Sequence, residues 1–232
     1  MVVIALAALI APQPVLAIAD EGAPCDRYIP VTDTISTTTP DQLGNAIVRY
    51  ERVAGGDPEI AHSINEVIDA EARGQVATYG PSGSKTLPWT LNVQGKLAKR
   101  PVTISALFTG EYTDPQPNMP FHAIATRVFD CRSGALIDWD NLFLDKKIGL
   151  ARLAQQTTEI IPTIYAPPAH PGVWQFGSEV APIDANYRYW IPSNAGIELH
   201  FPDWQFGRGV TVLTVPWSNI DDLIVPELRP II

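Results

Sequence analysis

The residues able to do chemistry in this chain are scattered. The nearest approach to a reactive loop is Gly80-Pro-Ser-Gly-Ser-Lys85. A serine hydrolase would present G-x-S-x-G, a sharp turn that lifts the serine above a sheet. A phosphate loop would place a Lys-Ser/Thr pair directly after its second glycine. Neither spacing is present, so the segment reads as a turn between a helix and a strand. The four histidines, His62, His122, His170 and His200, are far apart. None forms an H-x-x-x-H pair or an H-E-x-x-H helix, which zinc sites use to put two ligands on one face. His62 is expected on a helix surface and His200 on the polar face of a strand. No metal site and no cofactor motif is predicted. Asp138 and Asp140 flank Trp139, and Asp221-Asp222 stand near the end. A glycosidase needs two carboxylates facing each other across a cleft. These are instead expected to cap a turn or helix and to edge a strand.

The aromatic residues are more suggestive. Trp174, Phe176, Tyr187, Tyr189, Trp190, Trp204, Phe206 and Trp217 crowd the last third of the chain. Most should supply core area. Trp174, Phe176 and Trp204 lie beside prolines and glycines in loops, where an aromatic side chain makes a good contact for a protein or glycan partner. His122, at the end of a proline-rich stretch, joins them as a candidate binding residue.

Several elements must position these residues. Asn45 to Val53 is predicted as a strand. Asp57-Pro58-Glu59 is a helix start: an N-cap acceptor, a proline at the first position and an acid in the first turn. Ile60, Ile64, Val67 and Ile68 then share one face, with an end near Arg73-Gly74. Leu87 to Asp130 reads as three strands, interrupted by the loop Tyr112 to Pro120, whose prolines should keep it out of a sheet. Asp145 caps a second helix with a stripe of Leu150, Leu153, Ala154, Thr157, Ile161 and Ile164, which Pro162 should kink or end. Ala166 to Ala185 is a long loop. From Ala185 to Ile224 come three short strands and a closing helical turn. Tyr187, Tyr189 and Ile191, then Ile197, Leu199 and Phe201, alternate with polar neighbours and with Trp190, the period of a half-buried strand. Pro192 should stop the first of them. The expected fold is a single α+β domain with a mainly antiparallel sheet packed with two amphipathic helices.

Residues 1–19 are read as a signal peptide: Val2 to Ile10 is a compact apolar run, and small residues precede Ala17 and Ala19 as a signal peptidase requires. A positive n-region is missing, and the run is too short to span a bilayer comfortably. Residues 20–44 are expected to be irregular, 45–226 to form the domain and 227–232 to be a tail. Two cysteines, Cys25 and Cys131, suit one disulfide in an exported protein or two buried thiols. A net charge of −9 argues against nucleic acid and against an anionic membrane surface.

Two segments resemble a known family. Phe129 to Phe143 (FDCRSGALIDWDNLF) matches a pattern of phenylalanine, a polar residue, a glycine turn and aspartate-leucine-phenylalanine, and Asn186 to Leu223 matches a Tyr-x-x-apolar…Gly-apolar-x-apolar-x-Phe…Val-Pro pattern. Together with the helical Ile64-Asn65 pair they resemble the RsiV-like extracellular domain family, with the greatest similarity to its secreted mycobacterial immunogenic proteins. Where the family often has Gly-Gly-Ala-His, this chain has Asn118-Met-Pro-Phe-His122 and keeps only the histidine. The resemblance implies an α+β fold, an actinobacterial cell-envelope or extracellular setting and, from the anti-sigma members, protein binding. The expected function is a non-catalytic binding module for an extracellular protein or cell-wall polymer. The alternative is an esterase or envelope-glycan hydrolase with a site assembled from distant segments.

Overall fold

The computed structural model describes residues 22–115, 119–167, 172–207 and 209–232. The signal-peptide assignment therefore lies outside the described residues, as does His170. The first sheet has five strands in sequence order: β1 (Tyr28–Thr38), β2 (Gly44–Gly55), β3 (Trp89–Lys99), β4 (Thr103–Asp114) and β5 (Met119–Asp130). All neighbours are antiparallel except β2 and β3, which run parallel from Gly44↔Trp89 to Tyr50↔Gly95. A parallel pair needs a crossover, and helix α1 (Pro58–Tyr79) supplies it.

Helix α1 starts as its sequence demands, with the Asp57 carboxylate accepting from the N–H groups of Glu59 and Ile60. Its buried stripe is Ala61, Ile64, Ile68, Ala72 and Gln75. The helix does not stop at Gly74 but continues to Tyr79. Packing of Ala72 and Gln75 on the sheet outweighs the ~1 kcal/mol that a mid-helix glycine costs. Beside the fully buried Ile64, Asn65 accepts from the Val53 N–H at 2.8 Å and donates to the Val53 carbonyl at 2.9 Å. Strand β3 pairs with β2 only as far as Tyr50, so Asn65 stands in for a missing strand partner.

The second sheet, β6 (Trp190–Pro192), β7 (Gly196–His200) and β8 (Val212–Pro216), is antiparallel throughout. Short helix α2 (Trp139–Leu142) and helix α3 (Lys146–Ile164) complete a second core with it. The two sheets meet where the Trp190 N–H donates to Thr126 Oγ1 on β5 at 3.0 Å. Cys25 and Cys131 form a disulfide that ties the start of β1 to the end of β5.

Several expectations are corrected. The N-terminal stretch contains an eleven-residue strand, β1, rather than irregular chain. The loop expected over Tyr112 to Pro120 is mostly strand: β4 runs to Asp114 and β5 begins at Met119, with Thr113 opposite Pro120. Pro120 is tolerated because β5 is an edge strand, as Pro30 is on the opposite edge. Pro162 does not end α3 at once, since the helix runs two residues further, to Ile164. Ile164 itself is exposed rather than part of the stripe. Strand β6 begins only at Trp190, includes Pro192 and is buried on both faces. Asp221 and Asp222 lie within a 3-10 turn that no side chain caps.

Candidate functional site

Strand β5 carries His122 to the seam between the two sheets. Asp203, in the connection after β7, grips it twice, accepting from the His122 backbone N–H at 3.0 Å and meeting the ring Nδ1 at 2.6 Å. An ionised carboxylate only accepts, so the ring nitrogen facing it, Nδ1, is the donor. The Asp203 side chain is almost fully covered, whereas half of His122 is open. This is a rigid clasp between β5 and the β7–β8 connection. Trp204, the next residue, is 73% exposed.

Above the clasp lies a crevice of about 230 Å³. Its lining includes His122 and Ile124 of β5, His200 and Val212 of the second sheet, and Thr109 and Thr211, while the neighbouring side chains of Ala123 and Phe201 turn away into the two cores. His200 departs from expectation: it is buried, not on a solvated face. Strand β7 is covered on both sides, so alternation along it does not separate polar from apolar positions. Burial pushes the His200 imidazole down to about 4, leaving it neutral at ordinary pH. Its Nε2 has no hydrogen-bond partner, and Glu198 Oε2 stands off at 3.8 Å.

The other candidate contact residues support the crevice from behind. Trp174 stacks on Phe176 at 5.6 Å between ring centres, Phe176 meets Phe206 edge-on, and Phe206 meets Phe201 the same way at 4.7 Å. Trp174 also donates its Nε1–H to the Tyr165 carbonyl. Trp174 and Phe176 are thus half-buried members of an aromatic row ending at the crevice wall, while Trp204 is freely presented. Of the four candidates, His122 and Trp204 are brought together through Asp203. The signals the sequence hid are Asp203, which reads as one more loop carboxylate, and the burial of His200.

The remaining polar motifs have structural duties. Asp138 caps α2, accepting from the Asp140 and Asn141 N–H groups while Asn141 Oδ1 accepts from the Asp138 N–H. Lys146 bridges Asp184 at 2.6 Å and Asp140 at 2.9 Å, and those two partners raise its pKa. Asp138, Asp140 and Asp184 border a larger cleft of about 350 Å³ lined also by the stacked pair Trp139 and Trp190. Asp138 is engaged by the α2 N–H groups and Asp140 by Lys146, so each carboxylate has a structural partner. In the Gly80–Lys85 segment the Ser84 N–H is taken by Asp114 Oδ2, and Ser84 Oγ accepts from Thr86 and Leu87. That is a closed turn, not a phosphate cradle. Among the described residues, no group of three or more His, Cys, Asp or Glu side chains could hold a metal ion. No described helix is long and apolar enough to cross a membrane.

No family model matches the chain, and no curated protein does. Solved structures do. A DUF3298 family protein from Pseudomonas aeruginosa superposes with a TM-score of 0.53 at 9% identity, over 87% of this chain and 97% of its own. A DUF3298 family member from Bacteroides fragilis gives a TM-score of 0.56 at 10% identity, over 86% and 95%. The chain therefore shares the fold of DUF3298 proteins along most of its length.

Proposed function

We propose that this chain is a non-catalytic binding module of the bacterial cell envelope or extracellular space, and that it binds a protein through the crevice and Trp204. The observation that carries this reading is the clasp. Asp203 fixes His122 and thereby the backbone next to Trp204, so a large exposed aromatic side chain stands on a pre-ordered loop beside an apolar slot. Pre-ordering matters because immobilising a flexible side chain costs about 0.5–1.5 kcal/mol on binding. The disulfide suits an oxidising compartment, and export through residues 1–19 would deliver the chain there. The resemblance to RsiV-like domains, including the secreted mycobacterial group, points the same way.

The test uses the exported chain immobilised against lysozyme and against purified cell-wall polymer. Binding to lysozyme that Trp204→Ala weakens by about 30-fold, the effect of a hot-spot truncation of ~2 kcal/mol, supports the reading. Equal behaviour of wild type and Trp204→Ala overturns it, and capture of the polymer alone moves the function to glycan binding.

One observation favours a hydrolase as the second reading: the His122–Asp203 pair has the geometry of a base and its orienting carboxylate. No serine hydroxyl is hydrogen-bonded to His122 or His200 among the described residues. Ester hydrolysis that disappears in His122→Ala would establish this reading, and hydrolysis that survives the substitution would dismiss it.

A further inference from the structure

The crevice has a chemistry of its own. Its volume of about 230 Å³ exceeds the ~150 Å³ of an apolar protein cavity that takes up benzene. Ile124 and Val212 give it apolar side chains, beside the hydroxyl-bearing Thr109 and Thr211. His200 lies in the same wall, more than nine-tenths buried, with a ring nitrogen that nothing satisfies. A buried polar group left without a partner costs about 1–3 kcal/mol, which an occupant with a suitable hydrogen-bonding group would recover. The imidazole torsion about Cβ–Cγ is soft and roughly two-fold, so either ring edge can turn towards an occupant.

We propose that the crevice is a receptor for a tyrosine side chain presented by a protein partner, its ring between Ile124 and Val212 and its hydroxyl hydrogen-bonded to His200. The inference rests on the reading of the chain as a protein-binding module. Other side chains fit the lining less well. An aliphatic side chain leaves the His200 nitrogen unsatisfied. A carboxylate asks for a protonated imidazole, which burial disfavours. A lysine or arginine head puts a charge against apolar walls. Tryptophan can only donate, whereas a phenol hydroxyl both donates and accepts and so suits either tautomer of a neutral imidazole. Tyrosine also joins a rigid apolar body to one polar tip, the combination that makes it a recurrent interface anchor.

The test needs no partner. p-Cresol, which is the tyrosine side chain alone, and toluene, which lacks only the hydroxyl, are titrated into the exported chain. Binding is followed by the methyl signals of Ile124 and Val212 and by the imidazole nitrogens of His200. The expected result is p-cresol binding at least five-fold tighter than toluene, with His200 nitrogen shifts, and loss of that preference in His200→Leu. Comparison of the two probes on wild type decides the matter even if His200→Leu fails to fold. Equal affinities, a response of these signals to methyl glucoside instead, or no response of Ile124 and Val212 at the solubility limit of p-cresol would each overturn the proposal. Should p-cresol fail while Trp204→Ala still abolishes capture of a protein, the module reading stands and only the tyrosine assignment falls.

Discussion

His200 makes a prediction independent of any ligand. Its folded-state pKa is pushed from 6.5 to about 4 by burial. Above pH 6.5 the imidazole is neutral in both folded and unfolded chains, and the site adds no pH dependence. As the pH falls below 6.5 the unfolded chain takes up a proton that the folded chain refuses. Stability is therefore lost progressively between pH 6.5 and about 4, by ~3 kcal/mol at about 1.4 kcal/mol for each pH unit of difference. Other groups titrate over the same range, so the comparison is with His200→Leu. Urea denaturation at pH 7 and pH 4.5 should show a smaller loss on acidification in the variant. Equal losses in the two proteins would mean that His200 is not held neutral. The sequence conceals this residue for a physical reason. Period-two alternation marks a strand with one wet face, and β7 has none. The His122–Asp203 clasp is concealed differently: its members are 81 positions apart, and nothing local marks either as the partner of the other.

Among the elements, legibility followed the range of the interactions. Both long helices begin where a local signal puts them, at Asp57 and Asp145, because a cap is satisfied within three residues. The end of α1 differs from the one its sequence suggests, because tertiary packing carries it through Gly74. Strands β3 to β5 were visible through their alternation, whereas β1 was not. Only Tyr28 is buried in it and Ile35 half-buried, so an edge strand with two exposed faces leaves no pattern to read. The parallel pairing of β2 with β3 was equally hidden, since it depends on how α1 returns the chain. Asn65 explains why a polar residue follows Ile64 in this helix: it closes the end of β2 that β3 leaves open. Asn65→Ala should leave the Val53 N–H and carbonyl without these partners and destabilise the protein by about 1–3 kcal/mol, measured by urea denaturation. Asn65→Leu should cost at least as much, although it fills the same space. A loss below ~0.5 kcal/mol in both, the range of an ordinary surface substitution, would show that water replaces the side chain without penalty.

Over the whole molecule, the two hydrophobic cores differ in how they are closed. The second, around α2, α3 and the three-stranded sheet, is assembled from the continuous stretch after β5, with few additions from earlier strands. The first, around α1 and the five-stranded sheet, depends on β1, which pairs with β2 alone and buries little. The disulfide is placed where that weakness lies. It joins Cys25, just ahead of β1, to Cys131, just after β5, across a sequence separation of 106. In the chain-entropy view such a closure restricts the unfolded chain and contributes on the order of 4 kcal/mol. The pairing itself agrees with the sequence reading, which drew it from cysteine number and an exported setting rather than from geometry. Replacing both cysteines by serine should lower stability by about 2–5 kcal/mol, read from denaturation of the variant and of the reduced wild type. The loss should also be uneven. Amide exchange over Tyr28–Thr38 should accelerate most, because β1 then holds to the sheet by one ladder and its few buried side chains. Exchange in β7 and β8 should change only through the global stability. Uniform acceleration across both sheets would mean that the cores unfold as one unit and that the disulfide acts on the unfolded chain alone.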